Sequence, residues 1–244
     1  MASSEQKRQK KLAKKRTKDQ QKRREIARKR NEMKSLAGRL RAISKCPVAV
    51  SQIGEGAYEP AGMSSAFFGR KLPDGRIMLA IYLIDLGCLG VKDAYTRVVS
   101  KSEFDDMLTK ANLSQSLFTV QPSTVLKLVE QAVDYARSIG FEPRGDYAKM
   151  RPIFGDVDPG DCTESFAFGD EEGKPVYIRG PHETIEQALM IQSILEARVS
   201  EGNFEHVVPL HSDGRDFPEL LDRLGDDVID GHLVDDDEFL EDAG

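Results

Sequence analysis

The chain has 244 residues, 39% of them hydrophobic and 31% charged, with a formal net charge of −6. That content suits one core of about 150 residues and excludes a wholly disordered or collagen-like chain. No run of 18 apolar residues occurs, and no apolar segment follows the basic N-terminus. Neither a membrane-spanning helix nor a secretory signal is therefore expected, and the expected compartment is the cytoplasm.

The modest net charge conceals a dipole. Residues 1–45 carry eighteen Lys and Arg against Glu5, Asp19, Glu25 and Glu32, which leaves 17 basic and 37 acidic residues in the rest of the chain. The expected organisation is a basic helical arm (1–45), a globular domain (46–212) and an acidic tail (213–244). From Ser4 to Lys45 there is no Pro, and only Gly38 interrupts a run of good helix formers. Ile26, Met33, Leu36, Leu40 and Ile43 share one helical stripe, so 26–43 is expected to dock on the core. Residues 5–25 carry charge on nearly every face, where like charges at i and i+4 repel until a polyanion screens them.

The candidate nucleic-acid contacts are Lys7, Arg8, Lys10, Lys11, Lys14, Lys15, Arg16, Lys18, Lys22, Arg23, Arg24, Arg28, Lys29 and Arg30. A merely solvated helix interleaves acids with bases to form i, i+4 pairs, whereas here bases outnumber acids about four to one. Each Lys or Arg that meets a phosphate releases a counterion, giving affinity without base reading. The arm has no Tyr, Phe or Trp to stack on bases, so the expected partner is duplex or structured RNA, including the ribosome. An adaptor whose arm meets an acidic protein is a further reading of the same charge.

For the globular part the pattern predicts an α+β fold: a single compact domain with a mixed or antiparallel sheet packed by two or three helices. Cys46–Ile53 reads as a strand. Ser64–Leu72 and Arg76–Ile84 flank Pro73-Asp74-Gly75, a turn sequence, and form a hairpin. The unbroken apolar run Ile77–Ile84 has the character of a strand covered on both faces. It ends in Asp85-Leu86-Gly87-Cys88-Leu89-Gly90-Val91-Lys92-Asp93, where several motif readings compete. Asp85 and Asp93, with an acid from 156–164, would suit a metal-dependent nuclease; the plainer reading makes Asp85 the cap of the following turn. Gly87 to Gly90 fits a GxxG backbone clamp, and Lys92 is a candidate phosphate contact. No GK[ST] phosphate loop is present, and no cofactor is expected.

The run Cys88–Ala94, taken with Ala132–Pro143, resembles a family of uncharacterised bacterial proteins that also begin with lysine-rich arms. The resemblance covers roughly the first two thirds of the chain and implies no particular activity.

Ser102–Ala111 reads as a short helix and Pro122–Ile139 as a longer one, with Pro122 in its first turn and Gly140 past its end. Asp146–Arg151 reads as a helical turn. The acid-rich stretch 156–164 lacks EF-hand spacing and reads as a solvated loop, so no metal is expected there. A second hairpin is predicted from Ser165–Gly169 and Pro175–Ile178. Thr184 and Gln187 form a capping box for a helix over Ile185–Val199 that buries Ile185, Ala188, Leu189, Ile191 and Leu195. Its N-terminus, with Arg179 and His182, is a candidate phosphate site. A last strand is expected at Val207–Leu210, flanked by His206 and His211. Cys46, Cys88 and Cys162 form no CxxC pair and read as reduced structural thiols.

The tail, 213–244, has thirteen acids against Arg215 and Arg223. Phe217, Leu220, Leu221 and Leu224 recur at helical spacing up to Gly225, and the remainder reads as disordered. An intramolecular contact between this acidic tail and the basic arm would compete with RNA.

Overall fold

The computed structural model of the chain describes residues 14–18, 20–24, 26–27, 34–180, 183–199 and 202–207. Its centre is an antiparallel meander, built because each strand is followed by a turn short enough to bring the next one back beside it. β1 (Val48–Gly54), β2 (Met63–Lys71), β3 (Ile77–Asp85) and β4 (Gly90–Val99) pair in succession, and β5 (Leu117–Thr119) joins the free side of β1. The order is β4-β3-β2-β1-β5, and every pairing in this sheet is antiparallel. The β2–β3 hairpin closes at the expected turn, where Gly75 takes a φ of 88° and Leu72 and Arg76 pair across it.

Side-chain alternation divides the sheet between two helices. Ala66, Phe68, Ala80, Tyr82, Ile84 and Ala94 face α3 (Pro122–Ser138), which contributes Val125, Leu128, Val129 and Val133 to a fully buried cluster. Val50, Phe67, Ile77, Leu79 and Ile81 face the opposite way, against Phe104, Met107 and Ala111 of α2 (Lys101–Ser114). β3 is thus covered on both faces, as its apolar run predicts. α2 carries the chain from β4 at one edge of the sheet to β5 at the other, and Ser100 and Glu103 close a reciprocal capping box at its start. It is longer than the predicted Ser102–Ala111, by one residue at the capped start and by three at the end, where it runs to Ser114.

The core end of the basic arm is docked. A helix, α1 (Leu36–Ile43), begins at Ser35, whose extended backbone and side-chain bond to Gly38 N mark an N-cap. Leu40 is fully buried, with Leu36 and Ile43 packed beside it. Ile26, expected on the same stripe, is 57% exposed, and Met33 lies outside the described residues. The docking segment is therefore shorter than predicted, because Ser35 starts a new helix and breaks the register. Beside α1, Arg70 on β2 is buried. Its guanidinium donates to three carbonyls, Cys46 O (2.8 Å), Ile153 O (3.0 Å) and Phe154 O (2.6 Å). It ties the chain just after α1 to the turn of 3₁₀ helix at Arg151–Phe154, which follows α4 (Tyr147–Met150).

The last part of the described chain is a βαβ unit. β6 (Val176–Ile178) and β7 (Glu205–Val207) pair in parallel, with α5 (Ile185–Val199) between them. The predicted second hairpin is corrected here. Residues 165–169 form no strand, and β6 instead takes β7 as its partner. The turn at Asp170 still closes, because its Oδ1 accepts from both Glu172 N and Lys174 N. Capping of α5 by Thr184 and Gln187 is as predicted. Ala188, Ile191 and Leu195 are buried, but Ile185 and Leu189 are exposed, contrary to the predicted burial. Among the described residues no helix is long and apolar enough to cross a membrane. Positions 208–244, including His211 and the stripe from Phe217 to Leu224, lie outside the described residues.

Candidate nucleic-acid interface

Asp85 ends β3 with its side chain fully inside the protein. Its Oδ1 accepts from Cys88 N (2.9 Å) and Leu89 N (3.5 Å), and the Gly87 N–H also favours the charged form. Burial pushes the carboxyl upward, while the Lys92 ammonium and those N–H groups draw it back. Burial prevails, so the carboxyl stands above its ordinary range, and its Oδ1 caps the turn Leu86–Leu89. Asp93 lies on β4 opposite Leu83, and its Oδ1 accepts from the next amide, Ala94 N (2.8 Å). Neither acid converges with a third: among the described residues no group of three or more His, Cys, Asp or Glu side chains is placed to hold a metal ion.

The segment from Asp85 to Asp93 is a buried turn followed at once by β4. Lys92 is the extra residue of a bulge between the Leu83–Asp93 and Ile84–Val91 pairs. The turn is enclosed by several segments. Leu86 N donates to Gly62 O, Gly169 N to Leu86 O, and both Val176 N and the Tyr135 hydroxyl to Gly87 O. A Cβ on Gly87 would lie 2.4 Å from Val176 O. One on Gly90, whose φ is 63°, would lie 2.6 Å from Ala132 O and 2.7 Å from the Ala136 Cβ. This overturns the GxxG clamp: both glycines are there so that β6 and α3 can approach, which leaves no room for a nucleic-acid backbone.

The phosphate candidates are likewise engaged. Lys92 Nζ lies 2.9 Å from Glu183 Oε1, and both side chains are nearly buried, 12% and 11% exposed. Glu183 Oε2 accepts from the Tyr177 hydroxyl (2.8 Å) and Gly180 N (2.9 Å), while Arg179 Nε donates to Glu183 O (2.9 Å). Glu183 thus occupies the place where an anion was expected, and Lys92 and Arg179 serve it rather than an external phosphate. Burial alone would raise its carboxyl, but the Gly180 N–H, Lys92 and Tyr177 outweigh burial and hold it below the usual range. His182 lies outside the described residues. His206 stacks on the Tyr177 ring at 5.3 Å. Sequence reasoning missed Glu183 as a bridging acid, since it stands beside the predicted cap residue and reads as an ordinary first-turn charge.

Two further expectations are settled by packing. All three cysteines are free, and burial and then the neighbouring Asp85 push the Cys88 thiol upward, so it is unreactive as a nucleophile. The 156–164 stretch is held rather than solvated throughout. Lys127 on α3 donates to Cys162 O and Glu164 O, and Glu164 accepts from Tyr58 and Thr124.

The other candidate contacts lie on the arm. The described residues at 14–18, 20–24 and 26–27 are helical and exposed, and they include Lys14, Lys15, Arg16, Lys18, Lys22, Arg23 and Arg24. At about 100° per residue these seven side chains point around the whole helix, with Lys14, Lys18 and Lys22 in one row. Lys7, Arg8, Lys10, Lys11, Arg28, Lys29 and Arg30 lie outside the described residues. No family model, curated protein or solved structure matches the chain.

Replacing Asp85 by Ala leaves buried amides without an acceptor and is expected to destabilise the fold by about 3 kcal/mol. Asp85→Asn retains an acceptor oxygen and should cost about 1 kcal/mol; urea unfolding of both variants tests the order. For Glu183 the folded value is depressed, so its stabilisation is full above the unfolded carboxyl range and is lost as pH falls through the folded value. Glu183→Gln should cost about 3 kcal/mol near neutrality, and the difference should narrow only as pH falls below the ordinary carboxylate range, because the parent's acid is neutralised only there. Unfolding midpoints across pH 3 to 8 would show that convergence.

Proposed function

We propose that this chain is an RNA-binding, ribosome-associated protein of the cytoplasm that grips the phosphate backbone of structured RNA through its basic arm. The distribution of charge carries the reading. Seven of the twelve described residues between positions 14 and 27 are exposed Lys or Arg on a helix. Such a helix spans about 20 Å and presents cations in every direction, which suits a surrounding phosphate lattice better than a single flat partner. The fold supports this division of labour. The buried turn and the Lys92–Glu183 pair keep their charges for internal use, while α1 and the Arg70 contacts fix the root from which the arm leaves. Positions 46–244 are strongly acidic, so the core repels the polyanion that the arm attracts. The tail's acids compete for the same cations and suppress non-specific binding.

Affinity for a structured RNA should fall steeply with salt, by roughly 0.7 to 0.9 units of log slope for each phosphate contact. Deleting residues 1–30 should remove most of that slope and weaken binding more than tenfold at low salt. An unchanged slope would sink the proposal. Deleting 226–244 should raise affinity for arbitrary RNA at low salt, and equal affinities would remove the tail from the mechanism. Co-purification from lysate with and without ribonuclease separates RNA from an acidic protein partner, since only an RNA-bridged association is lost on digestion.

A further inference from the structure

Between Glu32 and Glu55 the chain contains no acid, yet it carries Lys34, Arg39, Arg41 and Lys45. Helix α1 lies inside this stretch, docked on a globular part that is otherwise rich in acids. Elsewhere in that part, cations are held internally. Lys92, Lys149 and Arg151 pair with Glu183, Asp146 and Glu130, while Arg70 and Lys127 donate to carbonyls. By contrast, no ion pair or side-chain hydrogen bond among the described residues engages Lys34, Arg39, Arg41 or Lys45. The elements on which α1 packs, α4 and the turn Arg151–Phe154, carry no acid of their own, and Asp156 beyond them acts on the buried Arg70.

The helix dipole does not account for these charges. It favours cations at the C-terminal end, where Arg41 and Lys45 stand, but disfavours one at the other end, where Lys34 precedes the Ser35 cap and the first turn holds no acid. Arg41, Ala42 and Lys45 are exposed. Ser44 keeps helical backbone angles (φ −60°, ψ −19°), so Arg41 and Lys45 stand one turn, about 6 Å, apart, with the small Ala42 beside them. The backbone that carries them is fixed from beneath. Leu40 is fully buried, Arg70 holds Cys46 O at 2.8 Å, and Gly155 lies so close that a Cβ on it would be 2.9 Å from Ser44 O. Two cations held in register, without an internal partner, suit anions that are themselves evenly spaced along a backbone.

We propose that Arg41 and Lys45, flanked by Lys34, form a second phosphate-contact site on the globular domain itself and seat that domain against the RNA backbone. This rests on the RNA-binding reading and gives the docked root of the arm a role of its own. The exposed part of the arm supplies attraction, and the root sets orientation, as phosphate contacts from a rigid element do.

Binding of a labelled RNA hairpin by the full chain tests it. Arg41→Gln with Lys45→Gln should weaken binding about threefold or more at low salt and reduce the log slope by about 1.4 to 1.8, for two contacts at roughly 0.7 to 0.9 each. Ala42→Glu, which keeps both cations and sets an acid beside them, should weaken binding by a similar factor. Lys110→Gln with Arg144→Gln removes the same charge from exposed positions elsewhere on the domain and should leave the slope nearly unchanged. All these side chains are exposed, so urea midpoints should stay at the parent's value. A parental slope in the Arg41/Lys45 variant, while deleting 1–30 still removes most of it, would overturn the site and leave the arm's role standing. An equal loss in the Lys110/Arg144 variant would also overturn it, because net charge alone would then be responsible. If neither the deletion nor the substitutions alter binding, the RNA reading itself falls and the site with it.

Discussion

The fold depends on one carboxylate holding one turn. Asp85 is removed from water, which pushes its carboxyl upward, and backbone N–H groups and the Lys92 ammonium facing it offset part of that cost. With its own amides satisfied internally, the turn can offer its remaining backbone groups to other segments. The residues around Gly62, Gly169 and Val176 and Tyr135 in the last turn of α3 all take hydrogen bonds from it or give bonds to it. The meander, α3 and the β6–α5–β7 unit meet there.

Much of this architecture was legible because pattern and burial coincide. The apolar run of β3, the Pro-Asp-Gly turn, the stripe of α3 and the capping box of α5 each state their own structure locally. The failures have a common cause. β4 begins with a glycine in the left-handed region and continues through a bulge, so its alternation is broken at Lys92 and reads as loop chemistry. The parallel partner of β6 is separated from it by a whole helix, and no local signal distinguishes it from the nearer segment at 165–169. Arg70 did carry a signal that could have been used. It shares strand parity with Ala66 and Phe68, so alternation alone aims its cation into the core. Its partners, three carbonyls far apart in sequence, could not have been read.

The candidate site divides in the same way. The arm's chemistry depends only on composition and is visible without a fold. Lys92 and Arg179, by contrast, became phosphate candidates from their places in the sequence and proved to be committed to Glu183. The runs Cys88–Ala94 and Ala132–Pro143 meet where Gly90 rests on Ala132 and Ala136, small residues that let a turn lie on a helix.

The Asp85 turn also has an implication for the order in which the chain acquires structure. Its enclosing partners are drawn from positions as late as 176, contacts of long sequence separation that close slowly. Synthesis proceeds from the N-terminus at about 5 to 20 residues per second, so the meander can pair early while the turn waits several seconds for its covering strand. The basic arm is complete long before that. A chain built in this sequence exposes its cations while the globular part is still open, and most of its acids are added later.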